Sequence, residues 1–264
     1  MAAAAALFPA AVRAGEGLPV EERAEAVEHA LMVELGREAT KSMICVAGDI
    51  DPSATDVVGS RRSQAYLLMG QDPRLKQMPD KPTLIDFFRL RFPPGQQHLL
   101  QSAALARETG CDDKVVLACL LHDISALAFI RPDHGYWAAQ MIEPYVDEEV
   151  AWAVRYHQAL RFFPDEAAGY AYPQMYLQMF GPNYRPPPYV QVAYEYARSH
   201  RWYMLDRTVT KNDLYAFDPT KRVRLEAFED LIGRHFRQPK EGLGFDNSTS
   251  AHMWRTMIAP TRAF

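Results

Sequence analysis

Residues 115–123 read Val115-Val116-Leu117-Ala118-Cys119-Leu120-Leu121-His122-Asp123, an apolar run that ends in an imidazole beside a carboxylate. Seven apolar residues in succession belong in a core, and burying a histidine and an aspartate at their end without partners is costly. A bound metal ion removes that cost, because neutral imidazole and carboxylate are both good ligands for iron, manganese or zinc. Adjacent side chains on a helix stand about 100° apart, so both can reach one site. Asp112 and Asp113 are suited to cap the start of this helix, which the spacing predicts over about residues 113–125.

Working outward, Gln97-His98-Leu99-Leu100-Gln101 opens a helix with a histidine 24 residues before His122, a separation that suits two neighbouring antiparallel helices. Downstream come Asp133-His134-Gly135, Arg155-Tyr156-His157-Gln158 and Lys211-Asn212-Asp213-Leu214-Tyr215. His98, His122, Asp123, His134, His157 and Asp213 are therefore the candidate metal ligands. Asp206 competes with Asp213, since the two lie seven residues apart on one helical face. His200, His235 and His252 have no such partners in the pattern and read as ordinary core or surface histidines.

The surrounding sequence is helical in texture. Apolar residues recur at helical spacing over 83–92, 98–108, 113–125, 134–144, 148–160 and 190–213, the last being the longest, and again from Val223 to Phe236. Pro186-Pro187-Pro188-Tyr189 reads as a rigid turn that starts the longest helix. Alternating β-branched runs are nearly absent, so the fold class is all-α. Further helices are expected at about 20–37 and around 61–69, in an N-terminal extension over residues 1–82. The core is expected over 83–237, and 238–264 reads as a packed or ligand-covering tail.

Composition narrows the functional classes. The chain has 264 residues, 48% of them hydrophobic, enough for a large core. A net charge of −4, with no long Lys/Arg run, gives no electrostatic footprint for nucleic acid. No apolar stretch approaches the roughly 20 residues needed to span a bilayer. Cys45, Cys111 and Cys119 form neither a disulfide framework nor a CxxC metal motif, which fits a reducing cytoplasm. The Ala-rich start carries its positive charge, Arg13, after the apolar stretch, the reverse of a signal peptide. The expected partner is a small-molecule substrate, with no nucleic acid and no membrane.

The order His98, His122-Asp123, His134, His157, Asp213 resembles the HD-domain superfamily of helical bundles, over about residues 84–220. The resemblance implies that His98, His122, Asp123 and Asp213 hold one metal and that His134 and His157 hold a second. Asp123 then bridges the two and sits at the catalytic centre. Within the superfamily, His157-Gln158-Ala159-Leu160-Arg161-Phe162-Phe163, Tyr176-Leu177-Gln178-Met179-Phe180-Gly181 and Asp213-Leu214-Tyr215 resemble the non-haem diiron oxygenases, the branch of phosphonate-cleaving oxygenases and myo-inositol oxygenase. That branch implies two iron ions in a mixed-valence Fe(II)/Fe(III) pair, O2 as co-substrate, and oxidation or cleavage of a hydroxylated metabolite.

Arg161 stands where the phosphonate branch has a substrate-gripping lysine, and a guanidinium can hold an oxyanion in bidentate fashion. Arg161 is therefore the candidate substrate-binding residue. Phe88 and Arg91 replace the tyrosine and glutamate that gate one iron in that branch, which argues against a phosphonate substrate. Trp137, Tyr156, Phe162, Phe163, Tyr170, Tyr172 and Tyr176 read as pocket lining or as core. The rival to an oxygenase is a metal-dependent phosphohydrolase of the same superfamily. The Ser125-Ala126-Leu127-Ala128 segment, without Lys or Arg before Arg131, tips the balance toward the oxygenase.

Overall fold

The computed structural model describes residues 76–93 and 95–258. The helices expected at 20–37 and around 61–69, together with Cys45, lie outside the described residues. Pro79–Met257 form one compact unit. Its elements are helical, and among the described residues the one extended pairing is a bridge between Asp165 and Tyr170.

The helices are α1 (Leu84–Leu90), α2 (Gln96–Glu108), α3 (Asp113–Leu121), α4 (Ile124–Ala128), α5 (His134–Ile142) and α6 (Glu148–Leu160). They are followed by α7 (Gln174–Phe180), α8 (Pro188–Ser199), α9 (Tyr203–Leu214), a 3-10 turn over Leu225–Phe228, α10 (Glu229–His235) and α11 (Ala251–Ile258). The all-α class read from periodicity is the class observed.

The starts of these helices follow from local chemistry. Asp112 caps α3 by accepting hydrogen bonds from the backbone N–H groups of Lys114 at 2.9 Å and Val115 at 3.0 Å. Thr83 and Asp86 form a reciprocal capping box at α1. Pro187 and Pro188 pre-set the backbone for α8, as the triple proline predicts.

Three expectations about helix continuity need correction. The helix read over 113–125 ends at Leu121, and Asp123 leaves helical geometry (φ −108°, ψ 11°) before α4 begins. The helix read over 190–213 is two helices. His200 is extended (φ −82°, ψ 148°), and its ring stacks on Trp152 with centroids 4.4 Å apart while Trp202 packs against the same indole at 5.9 Å. Aromatic packing against α6 holds the break open, an interaction that periodicity along one segment does not register. The helix read from Val223 to Phe236 begins as the 3-10 turn, and α7 was not expected at all.

Helix α6 is the hub, packing on α3, α5, α8 and α9, while α9 also reaches α2 and α3. Leu117, Leu120, Leu121, Val154 and Val209 are fully buried in this layer. The C-terminal part is integral to the core: Trp254 is fully buried, lies edge-on to Phe87 at 4.8 Å, and donates its indole N–H to the Met141 carbonyl at 3.0 Å. Phe88 and Arg91 serve this packing. Phe88 is fully buried, and the Arg91 Nε donates to the Met257 carbonyl at 2.7 Å. Trp254→Ala removes both the packing and the indole bond and is expected to cost about 3–5 kcal/mol. Chemical denaturation checks it: the midpoint should fall while the denaturant slope stays the same.

Candidate metal centre

The break between α3 and α4 turns the side chains of His122 and Asp123 to one place. His122 caps α3 in helical conformation and is fully buried, whereas Asp123 stands at the foot of α4. His98 comes from the first turn of α2, His134 from the start of α5, His157 from the last turn of α6, and Asp213 from the last turn of α9. The structure brings all six together: His98–His122–Asp123, His122–His157–Asp213 and Asp123–His134–His157 each place their ligand atoms within 4.8 Å of one another.

The orientation of the imidazoles is fixed from behind. The Nδ1 atoms of His122, His157, His98 and His134 lie 2.7, 2.7, 3.0 and 3.2 Å from the carbonyl oxygens of Cys119, Val154, Ala216 and Arg131. A carbonyl only accepts, so each Nδ1 is the donor, and in its neutral form each ring turns an Nε2 lone pair inward. There the His98 and His122 Nε2 atoms face each other at 3.0 Å. Asp123 Oδ1 lies 3.0 Å from His134 Nε2 and 3.4 Å from His157 Nε2, while its Oδ2 lies 3.6 Å from His98 Nε2. Oδ1 also lies 3.7 Å from His122 Nε2, so the one carboxylate faces all four imidazoles.

Lone pairs that face one another, or face a carboxylate, repel unless a cation or proton lies between them. Asp123 Oδ1, His134 Nε2 and His157 Nε2 are buried without a hydrogen bond. Burial drives the His157 imidazole down to about 4, so it stays neutral near pH 7. Burial acts on His122 in the same sense, but the charges of Asp123 and Asp213 more than offset it and hold the ring up at about 9. Burial raises Asp213 and Asp123, yet Arg161 and His122 beside the first, and His122 with His134 around the second, hold both below the usual carboxylate range. The donor set of four imidazoles and two carboxylates fits a pair of divalent transition metals.

Arg161 caps α6 and is buried, with Nη1 3.0 Å from Asp213 Oδ2 and an Nε that has no hydrogen-bond partner. Its backbone carbonyl accepts from the Tyr170 hydroxyl at 2.9 Å, and its guanidinium lies 5.2 Å from the centroid of the Tyr176 ring. Tyr170 in turn lies under the fully buried Arg207, which donates to the Leu160 carbonyl at 2.9 Å and to the Tyr203 hydroxyl. The sequence reading missed Arg207. Its only signal was an arginine next to an inward-facing Asp206 on an amphipathic helix. Phe217, also missed, stacks on His98 with ring centroids 4.2 Å apart.

Asp206 lies apart from the cluster. It is fully buried, neither carboxylate oxygen has a hydrogen bond, and burial pushes its pKa well above the usual range. His200 stacks on Trp152 and His235 pairs with Asp113 at 3.0 Å, both outside the cluster.

Two substitutions follow from this geometry. The folded pKa of Asp206 is raised, so its contribution to stability is complete below the ordinary carboxylate pKa and is lost as pH rises through the folded value. Asp206→Asn should therefore melt at a higher temperature than wild type at pH 8, with the difference closing as pH falls toward 4. Gly135 permits the close crossing of α5 on α6, because a Cβ there would stand 2.9 Å from the Val154 carbonyl and 3.1 Å from the His157 ring. Gly135→Ala should cost about 1–3 kcal/mol and lower metal stoichiometry by separating His134 from His157, both readable from melting and elemental analysis.

Comparison with known proteins agrees with this geometry. No curated protein matches the chain. Residues 95–173, the stretch that carries five of the six clustered side chains and Arg161, match the family model described as HD domain.

Proposed function

We propose that the protein is an HD-domain diiron oxygenase, in which His98, His122, Asp123, His134, His157 and Asp213 hold two iron ions and Arg161 orients a small polar, anionic, hydroxylated metabolite. The HD-domain match and the His/Asp cluster are features of a superfamily of metal-dependent hydrolases and oxygenases. The observation that carries the metal reading is the set of four histidines whose Nδ1 atoms are tied to backbone carbonyls, so that four Nε2 atoms converge on two carboxylates. Bound iron would supply Lewis acidity and the redox capacity to use O2 against a substrate C–H bond.

The chain's own residues do the rest. Asp123, whose carboxylate faces all four imidazoles, keeps the two halves of the site in register. Asp213 fixes Arg161, whose free Nε leaves a buried donor for an anionic substrate. Phe217 covers one face of His98 and limits water there. Phe217, which stacks on His98, lines with Tyr172 and Tyr215 a cavity of about 540 Å³ that has no Lys or Arg in its wall. A phosphate-ester site would be expected to gather several Lys or Arg side chains, and this scarcity favours the oxygenase. The free Nε of Arg161 favours a second reading, a phosphohydrolase that grips one phosphate oxygen while the metals activate water.

Protein from iron-supplemented cells is expected to contain about two irons per chain and to give a mixed-valence paramagnetic signal on partial reduction. Zinc, magnesium or manganese without that signal, together with phosphatase activity and no oxygen uptake, would move the assignment to the phosphohydrolase. Asp213→Asn should lose metal while Asp206→Asn keeps it. Equal loss in both would overturn the choice of Asp213.

A further inference from the structure

Residues 155 and 159 lie on the face of α6 opposite His157, at about 100° per residue, and there α5, α6 and α8 border a half-open cavity of about 600 Å³. Its walls are mostly aromatic and apolar, with Trp137 on α5, Tyr156 on α6, and Val192, Ala193 and Tyr196 on α8. Helix α8 contributes little to the core. Ala197 is its one buried residue, while Tyr189, Val192 and Tyr196, on one side of the helix, are 59%, 64% and 50% exposed. The apolar face of α8 borders this cavity instead of filling it, and a ligand in the cavity would cover part of that face.

A single cation stands at the cavity. The Arg155 guanidinium lies 4.9 Å from the Tyr136 ring centroid and 5.7 Å from that of Tyr156. No carboxylate among the described residues pairs with it, in contrast to Arg161, Arg234 and Arg237, each of which has a carboxylate partner. Contact with the two rings and with the Tyr156 hydroxyl holds the guanidinium in place, and its remaining N–H groups can grip an oxyanion. The one acid lining the cavity, Asp133, accepts a 2.8 Å hydrogen bond from the Tyr189 hydroxyl. Its charge disfavours a ligand that brings a second negative group.

We propose that this cavity is a binding site, separate from the metal centre, for a small monocarboxylate with a planar apolar body, whose carboxylate pairs with Arg155 and whose body lies between Trp137, Tyr156 and Tyr196. None of the six clustered side chains lines the cavity, so its failure and the failure of the oxygenase reading are distinct results.

The probe is 3-phenylpropionate, titrated into the full chain and followed by saturation-transfer NMR and calorimetry, with neutral 3-phenylpropanamide and dianionic phenylsuccinate as comparisons. Saturable binding of 3-phenylpropionate is expected, equal in metal-loaded and metal-stripped protein. The amide and Arg155→Met should each weaken binding by about tenfold or more, the loss expected for a charge-assisted hydrogen bond, and the dianion should bind more weakly than 3-phenylpropionate because its second carboxylate meets the charge of Asp133. Ala193→Leu, which fills the cavity, should abolish it, and unchanged melting of Arg155→Met keeps the test valid if the leucine variant unfolds. No saturable binding at millimolar probe, equal affinity for the amide, or unchanged affinity in Arg155→Met would each overturn the proposal.

Discussion

The structure turns on one electrostatic constraint: six groups with lone pairs or negative charge converge in the core, where an unpaired charge is costly. The fold meets it from behind, by giving each histidine a backbone carbonyl for its Nδ1–H. Three of those carbonyls, of Cys119, Arg131 and Val154, stand three residues before their histidines, so much of the orientation is local to single turns of chain. The fourth, of Ala216, reaches His98 across 118 positions and ties the end of α9 to α2.

The same constraint accounts for the architecture around the site. Helix α6 lies at the centre because His157 must be dry and must face Asp123. Gly135 lets α5 approach closely enough to bring His134 beside it. The break after Leu121 costs part of a helix but aims His122 and Asp123 together. Arg161 offsets the charge of Asp213, and Tyr170 and Arg207 brace Arg161 in turn. The Arg207 guanidinium in this support is held by the Leu160 carbonyl and the Tyr203 hydroxyl.

The opposite face of α6 is organised by different physics. Packing of His200 face-on and Trp202 edge-on against Trp152 bends the chain between α8 and α9 and sets α8 against the outer surface of α6. The result is an aromatic cavity with Arg155 at its edge, on the far side of the helix that carries His157. One helix thereby separates a polar, enclosed cluster from an apolar, half-open pocket.

Much of this was legible in the chain. An apolar run ending in His122-Asp123, followed and preceded by histidines at helical spacings, has few explanations besides a shared polar site, and apolar periodicity alone determines the all-α class. Spacing could not choose between Asp206 and Asp213, because residues seven apart share a face and differ only by about 10 Å along the axis. The packing of α9 on α2 and α6 decides which of them reaches the cluster. Nor could periodicity find the breaks at Asp123 and His200, since both are held by contacts with residues distant in sequence. The sequence by itself determined which side chains must be buried and on which helices. Only the tertiary structure decided which of them meet, because that depends on helix crossings set by side-chain volume and ring packing rather than by pattern.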